Sequence, residues 1–96
     1  MTNSMSLVNY LPSVTEMRLL EEHRVYLVFD DGTRGVADLS DLVGRGPVFE
    51  PLRDYAFFRK VRLNHEAGTI EWPNGADVAP ESLYARVKEP SGSPIP

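Results

Sequence analysis

A chain of 96 residues, 42% hydrophobic and 25% charged, has the size and make-up of one soluble domain with a single modest core. Its net charge of −4 argues against general affinity for nucleic acid, which lysine and arginine drive. With no cysteine, disulfides and thiolate metal sites are excluded, and a reducing compartment fits.

The first eleven residues show no clean period and are expected to be a flexible segment, although Leu7, Val8, Tyr10 and Leu11 are available to dock on a core. Met1 to Ser6 lacks the basic-then-apolar order of a signal peptide. The longest apolar runs, such as Val25 to Phe29, fall far short of the ~20 residues of a membrane span. A cytoplasmic location without membrane contact is expected.

Past Pro12-Ser13, Val14 to Leu20 reads as a strand. Glu21-Glu22-His23 is turn-like. Arg24 to Phe29 is a second strand with Val25, Leu27 and Phe29 on one face. Asp30-Asp31-Gly32 is a hairpin turn, and Thr33 to Asp38 returns as a third strand. These pieces make an antiparallel meander.

Ser40 is placed to cap a short helical turn that Gly44 stops, and Gly46-Pro47 predicts an extended link. Pro51-Leu52-Arg53 reads as a tight turn, and Asp54 as the N-cap of a helix from Tyr55 to Lys60. Val61 to Leu63 and Thr69 to Trp72 are short strands, the second ended by Pro73. Asn74-Gly75 predicts a type I′ turn, with Ala76 to Val78 as a short edge strand. Pro80 suits the first position of a last helix, with Leu83, Tyr84 and Val87 on its apolar face. Residues 89–96 are a Pro/Ser/Gly tail expected to be disordered. The expectation is one α+β domain over residues 12–88: a small antiparallel sheet, the meander plus short later strands, packed with two or three short helices.

Asp31-Gly32-Thr33, Val36 to Leu39, Gly44 to Phe49, Pro51 to Asp54 and above all the run from Gly68 to Asp77 carry a resemblance. Over about Pro12 to Lys88 the chain resembles the bacterial Domain of Unknown Function 2442 family. That resemblance implies a small α+β fold similar to the N-terminal domain of a nitrosomonad protein. Some relatives carry an appended helix-turn-helix, for which the residues up to Pro96 leave no length. Others are encoded beside a small partner in an arrangement that looks like a toxin–antitoxin pair. No catalytic residues are assigned in the family, so none carries over.

The residues themselves offer several chemistries. His23 and His65 each adjoin a carboxylate, Glu22 or Glu66, but are far apart in sequence, so turn residues are expected and no metal or cofactor. Asp30 and Asp31 read as turn formers. Glu71 and Asp77 are the carboxylates that could serve an enzyme or small-ligand site. For Asp77 the alternative is to accept backbone amides and fix the start of the last helix. Gly44-Arg45-Gly46-Pro47 lacks the spacing and lysine of a phosphate loop. No serine lies in a nucleophile-elbow context, and no catalytic residue is assigned.

Two surfaces remain. Trp72, Pro73, Asn74, Asp77 and Phe57 form a candidate partner surface, although a lone tryptophan in a small domain is more often core. Charge is uneven: residues 1–44 carry three basic and seven acidic side chains, residues 45–62 five and two, residues 63–96 two and five. Arg45, Arg53, Arg59, Lys60 and Arg62 therefore form a candidate anion or nucleic-acid patch, unless they pair with the acidic flanks. The leading expectation is a non-enzymatic protein-binding or regulatory module, such as the antitoxin-like half of a two-gene pair, with homo-oligomerisation open. A nucleic-acid-associated regulator and an enzyme or small-ligand binder are the alternatives.

Overall fold

The alternation of Val25, Leu27 and Phe29 organises the first half of the molecule. The computed structural model describes residues 11–88, so the N-terminal segment apart from Leu11, and the tail 89–96, lie outside the described residues. Strands β1 (Val14–Leu19), β2 (Arg24–Phe29) and β3 (Arg34–Asp38) form an antiparallel sheet in that order. Along the central strand burial alternates residue by residue, and Val25, Leu27 and Phe29 are sealed from solvent. Leu27 lies between Met17 and Gly35, and Val25 between Leu19 and Ala37. The register of β1 slips between Val14 and Glu16, which leaves Thr15 as a bulge and returns Val14 to the inner face opposite Phe29.

Both expected turns of the sheet form, with different geometries. Type I′ geometry requires positive φ at both central residues. Here it sits at Glu22 (58°) and His23 (62°), closed by Arg24 N donating to Glu21 O at 3.2 Å. At Asp30-Asp31-Gly32 only the glycine is positive (90°); its N donates to Phe29 O, and Phe29 N to Thr33 O. That is a type I turn with a glycine bulge.

Between sheet and helix the chain differs from expectation. Ser40–Arg45 and Pro47–Arg53 are both 3-10 segments. Ser40 caps nothing; Asp38 Oδ1 instead accepts Ser40 N at 3.0 Å. Gly44 does not stop the first segment, which ends at Gly46. Pro47 is no extended link but opens the second segment, a position where its missing N–H costs nothing. Pro51 to Arg53 belongs to that segment. Asp54 does cap α1 (Tyr55–Phe58), accepting Ala56 N at 3.0 Å, but the helix is one turn long and ends before Lys60.

Strands β4 (Arg62–Asn64) and β5 (Thr69–Glu71) form a separate two-stranded sheet. At Asn74-Gly75 the turn is not type I′. Among the described residues Glu22 and His23 are the only non-glycines with positive φ, so Asn74 is negative and Gly75 alone (92°) is positive. Gly75 N donates to Trp72 O and Trp72 N to Ala76 O, the same bulged type I turn as at Gly32. Proline suits the first central position of such a turn, and Pro73 occupies it. Of the expected edge strand only a bridge between Glu71 and Asp77 forms. Helix α2 (Pro80–Lys88) then packs on β3, where a Cβ on Gly35 would lie 3.1 Å from Val87 Cγ1.

One core unites both sheets. Val25, Leu27, Phe29, Leu39, Leu52, Phe58, Ile70, Trp72 and Leu83 are its sealed members. Each such large apolar side chain contributes about 1.5–3 kcal/mol by leaving water. The result is a small α+β fold of the expected class.

Candidate interaction surface

Trp72 leaves the expected partner surface. It is 1% exposed, tilts against Phe58 at 5.6 Å between ring centroids, and its indole N–H donates to Phe58 O at 2.9 Å. Pro73 and Asn74 do reach solvent, but Asn74 is occupied: its Nδ2 donates to Val48 O and its Oδ1 accepts Ala76 N. Phe57 is half-buried, with Lys60 Nζ 6.0 Å from its ring centroid. Asp77 is exposed and makes no side-chain hydrogen bond among the described residues, so it does not fix the start of α2.

Glu71 is fully engaged. Its Oε1 accepts Asn64 Nδ2 and its Oε2 accepts Arg62 Nε, both at 3.0 Å. The amide of Asn64 and then Arg62 hold its carboxyl below the usual range. The basic segment is largely paired within itself and its neighbours. Arg45 bonds Asp41, Arg53 bonds Glu50 and Arg62 bonds Glu71, which leaves Arg59 and Lys60 outside ion pairs among the described residues. His23 is half-buried rather than an exposed turn residue. Its Nε2 lies 2.6 Å from Leu52 O, an atom that only accepts, so Nε2 carries the proton. Its ring sits 4.6 Å from that of Phe58 and 5.7 Å from that of Tyr55. His65 is exposed in the β4–β5 turn. Among the described residues no three His, Asp or Glu side chains converge as metal ligands, and no helix is long and apolar enough to cross a membrane.

Two neighbouring open clefts lie elsewhere, at the outer face of the three-stranded sheet. The residues between the core positions form a grid there. Leu20 lies beside Arg24 and Asp38; Arg18 beside Tyr26 and Val36; Glu16 beside Val28 and Arg34. An antiparallel sheet with one solvated face alternates apolar-in with polar-out. Four apolar side chains break that rule, Leu20, Tyr26, Val28 and Val36, and Val36 is 41% exposed. A cleft of about 510 Å³ is lined by Leu19, Leu20, Glu21, Arg24, Val36 and Tyr55. A second, of about 380 Å³, is lined by Arg18, Leu20 and Tyr26. Tyr55 Oη donates to Leu20 O at 2.8 Å and fixes one wall. Arg24 is tied to Glu22 at 3.5 Å, whereas Arg18, Arg34 and Glu16 make no ion pair among the described residues. Strand alternation named the inward residues of β2; that no described element covers the opposite face was not readable from the sequence.

The model of the family described as protein of unknown function, DUF2442, matches residues 14–89. The chain belongs to this family. The match spans both sheets and α2 of the DUF2442 fold, so the outer face of β1–β3 is part of the family unit. No curated protein and no solved structure matches the chain.

Proposed function

We propose that this DUF2442 protein is a non-enzymatic protein-binding module, regulatory in role and of the antitoxin-like kind that works through a partner. The partner seats on the outer face of β1–β3. The observation that carries this reading is the sheet face that no described element covers, with Leu20, Tyr26, Val28 and Val36 beside two clefts and beside Arg18 and Arg34, which make no ion pair among the described residues. Contiguous apolar surface rimmed by charge is the mark of a docking site. The alternatives draw less support. Glu71 is held by Asn64 and Arg62 and is a poor general base, and three of the five basic residues of the segment are already paired.

A photo-cross-linking residue placed at Tyr26, with one at His65 as control, tests this in cells at native expression. The expected result is one dominant adduct from position 26 and none from 65. Its partner, identified by mass and purified, should bind the chain, and Val36→Glu should weaken binding at least about tenfold. Equal labelling from both positions, or a Val36→Glu variant that binds as well as wild type, overturns the proposal.

A further inference from the structure

We infer that the open edge of β3 pairs antiparallel with the same edge of a second copy of this chain, about a twofold axis through Val36 at right angles to the sheet. The edge is a surface distinct from the outer face, and the pairing does not depend on what docks there. β3 has β2 on one side and, among the described residues, no strand on the other. Phe29 N donates to Thr33 O and Leu39 N to His23 O. Hydrogen-bonded pairs alternate along an antiparallel ladder, so residues 33, 35, 37 and 39 turn their backbone groups to β2. Arg34, Val36 and Asp38 turn theirs to the open edge. Of these outward groups only Asp38 O has a partner among the described residues, an Arg86 N–H, and a carbonyl keeps a second lone pair. Open ladder groups along an edge are a template for another strand.

The run Arg34-Gly35-Val36-Ala37-Asp38 complements itself when reversed. Arg34 of each copy then stands opposite Asp38 of the other, and Val36 opposite Val36, as an isologous contact requires. Each of these pairs joins two outward-turned residues, so each exchanges both of its ladder bonds. Opposite charges directly across strands add to the pairing. Charges on an edge strand can also repel a second strand, but only where like meets like. Here the joined outer face runs Arg24, Asp38 and then Arg34 of the second copy in one row, with signs alternating. Its middle row runs Tyr26, Val36, Val36, Tyr26. Sliding the pairing by two residues sets Arg34 or Asp38 against Val36 and breaks both ion pairs. Sliding it by one sets outward-turned residues against inward-turned ones. The other twofold that joins these edges runs along the strands and makes them parallel. It puts Val36 level with Val36, whereas a parallel ladder sets an outward-turned residue level with an inward-turned one, so that axis forms no ladder.

Five residues at about 3.3 Å each make a contact roughly 17 Å long and one strand wide. This lies well below the ~800 Å² per partner of a standard stable interface. The dimer is therefore weak, with a dissociation constant on the order of 100 μM.

Sedimentation equilibrium of the full chain up to about 1 mM reads the association. Wild type should pass from monomer to dimer. Val36→Pro removes the outward N–H at the axis and takes no bond from the β2 ladder, so it should fold and remain monomeric throughout. Arg34→Glu sets acid against Asp38 at both ends and should weaken association about tenfold or more. Adding Asp38→Arg to it reverses both pairs and should restore association to within about threefold. Circular dichroism checks that each variant is folded, since Asp38→Arg also gives up the bond to Ser40 N. A wild-type chain that stays monomeric, a dimer that survives Val36→Pro, or an Arg34→Glu chain that associates as well as wild type overturns the inference. Should the chain be monomeric while position 26 cross-links a different protein, edge pairing alone falls and the docking surface stands.

Discussion

Glu22 and His23 occupy left-handed backbone without being glycine or asparagine, at a cost of roughly 1–2 kcal/mol each. The right-handed twist of the β1–β2 ribbon demands a primed turn there. His23 offsets its share through the Nε2–Leu52 bond, the Phe58 contact, and its own carbonyl, which accepts Leu39 N at 2.9 Å. Glu22 is exposed and is held, among the described residues, by the long ion pair to Arg24. Glu22→Gly should therefore raise stability by about 0.5–1 kcal/mol in urea unfolding, strain relief exceeding the entropy of the added glycine. A matching test separates two glycines. Gly75 has φ 92° and open space around a hypothetical Cβ, whereas Gly68 has φ 70° and its Cβ would lie 2.8 Å from Ser13 Oγ. Gly75→Ala should cost about 1 kcal/mol from backbone alone. Gly68→Ala should cost at least about 1 kcal/mol more, because Ser13 is fixed by its own backbone bonds to Asp30 and by Val14 N donating to Gly68 O. Equal losses in thermal melts would show that Ser13 yields freely.

At the scale of elements, α2 is fastened to the connection after β3 by one arginine. Arg86 donates to Asp38 O at 2.9 Å and forks onto both oxygens of Asp41 at 2.7 and 3.0 Å. Its Nε is buried without a hydrogen-bond partner. The Arg86 hydrogen bonds hold the Asp41 carboxyl below its ordinary 3.8, against some desolvation. A carboxyl lowered on folding stabilises above its unfolded value, and that contribution disappears as pH falls through the folded value. The charged clamp is thus complete above about pH 4 and is lost below it. Asp41→Asn should lower Tm at neutral pH and flatten its fall below pH 4; a parallel acid limb in both proteins would refute the assignment. Asp41 is nearly half exposed, so the effect is modest.

For the whole molecule the consequence of a shared core is cooperativity. Trp72 belongs to the second hairpin yet packs on Phe58, while Phe58 meets His23 from the first. Val14 N donates to Gly68 O at 2.9 Å and joins the two sheets by backbone. The chain should unfold in one step, with tryptophan fluorescence and far-ultraviolet circular dichroism giving coincident urea curves. Separated midpoints would mean that the two sheets are independent units.

The three strands, the Asp30-to-Gly32 reversal, the Asp54 cap and the final helix were legible because each is local. Period-two alternation, a short acceptor side chain and a proline at a helix start act within a few residues. The turn types were not legible. Asn74-Gly75 has the composition of a type I′ turn, but Pro73 before it and the bulged pairing of Trp72 with Ala76 select another geometry. Burial was the commoner expectation for a lone tryptophan, but the partner of the Trp72 indole, a carbonyl fourteen residues away, was not legible.

By itself the amino-acid order determined the class of fold, the inward residues of the central strand and the lack of thiol chemistry, since these follow from local stereochemistry and composition. Only the tertiary structure decided which side of the meander is covered, which acids the arginines meet and where Trp72 goes. Those depend on contacts between segments far apart in the chain, and no local propensity encodes which face the returning helix will choose.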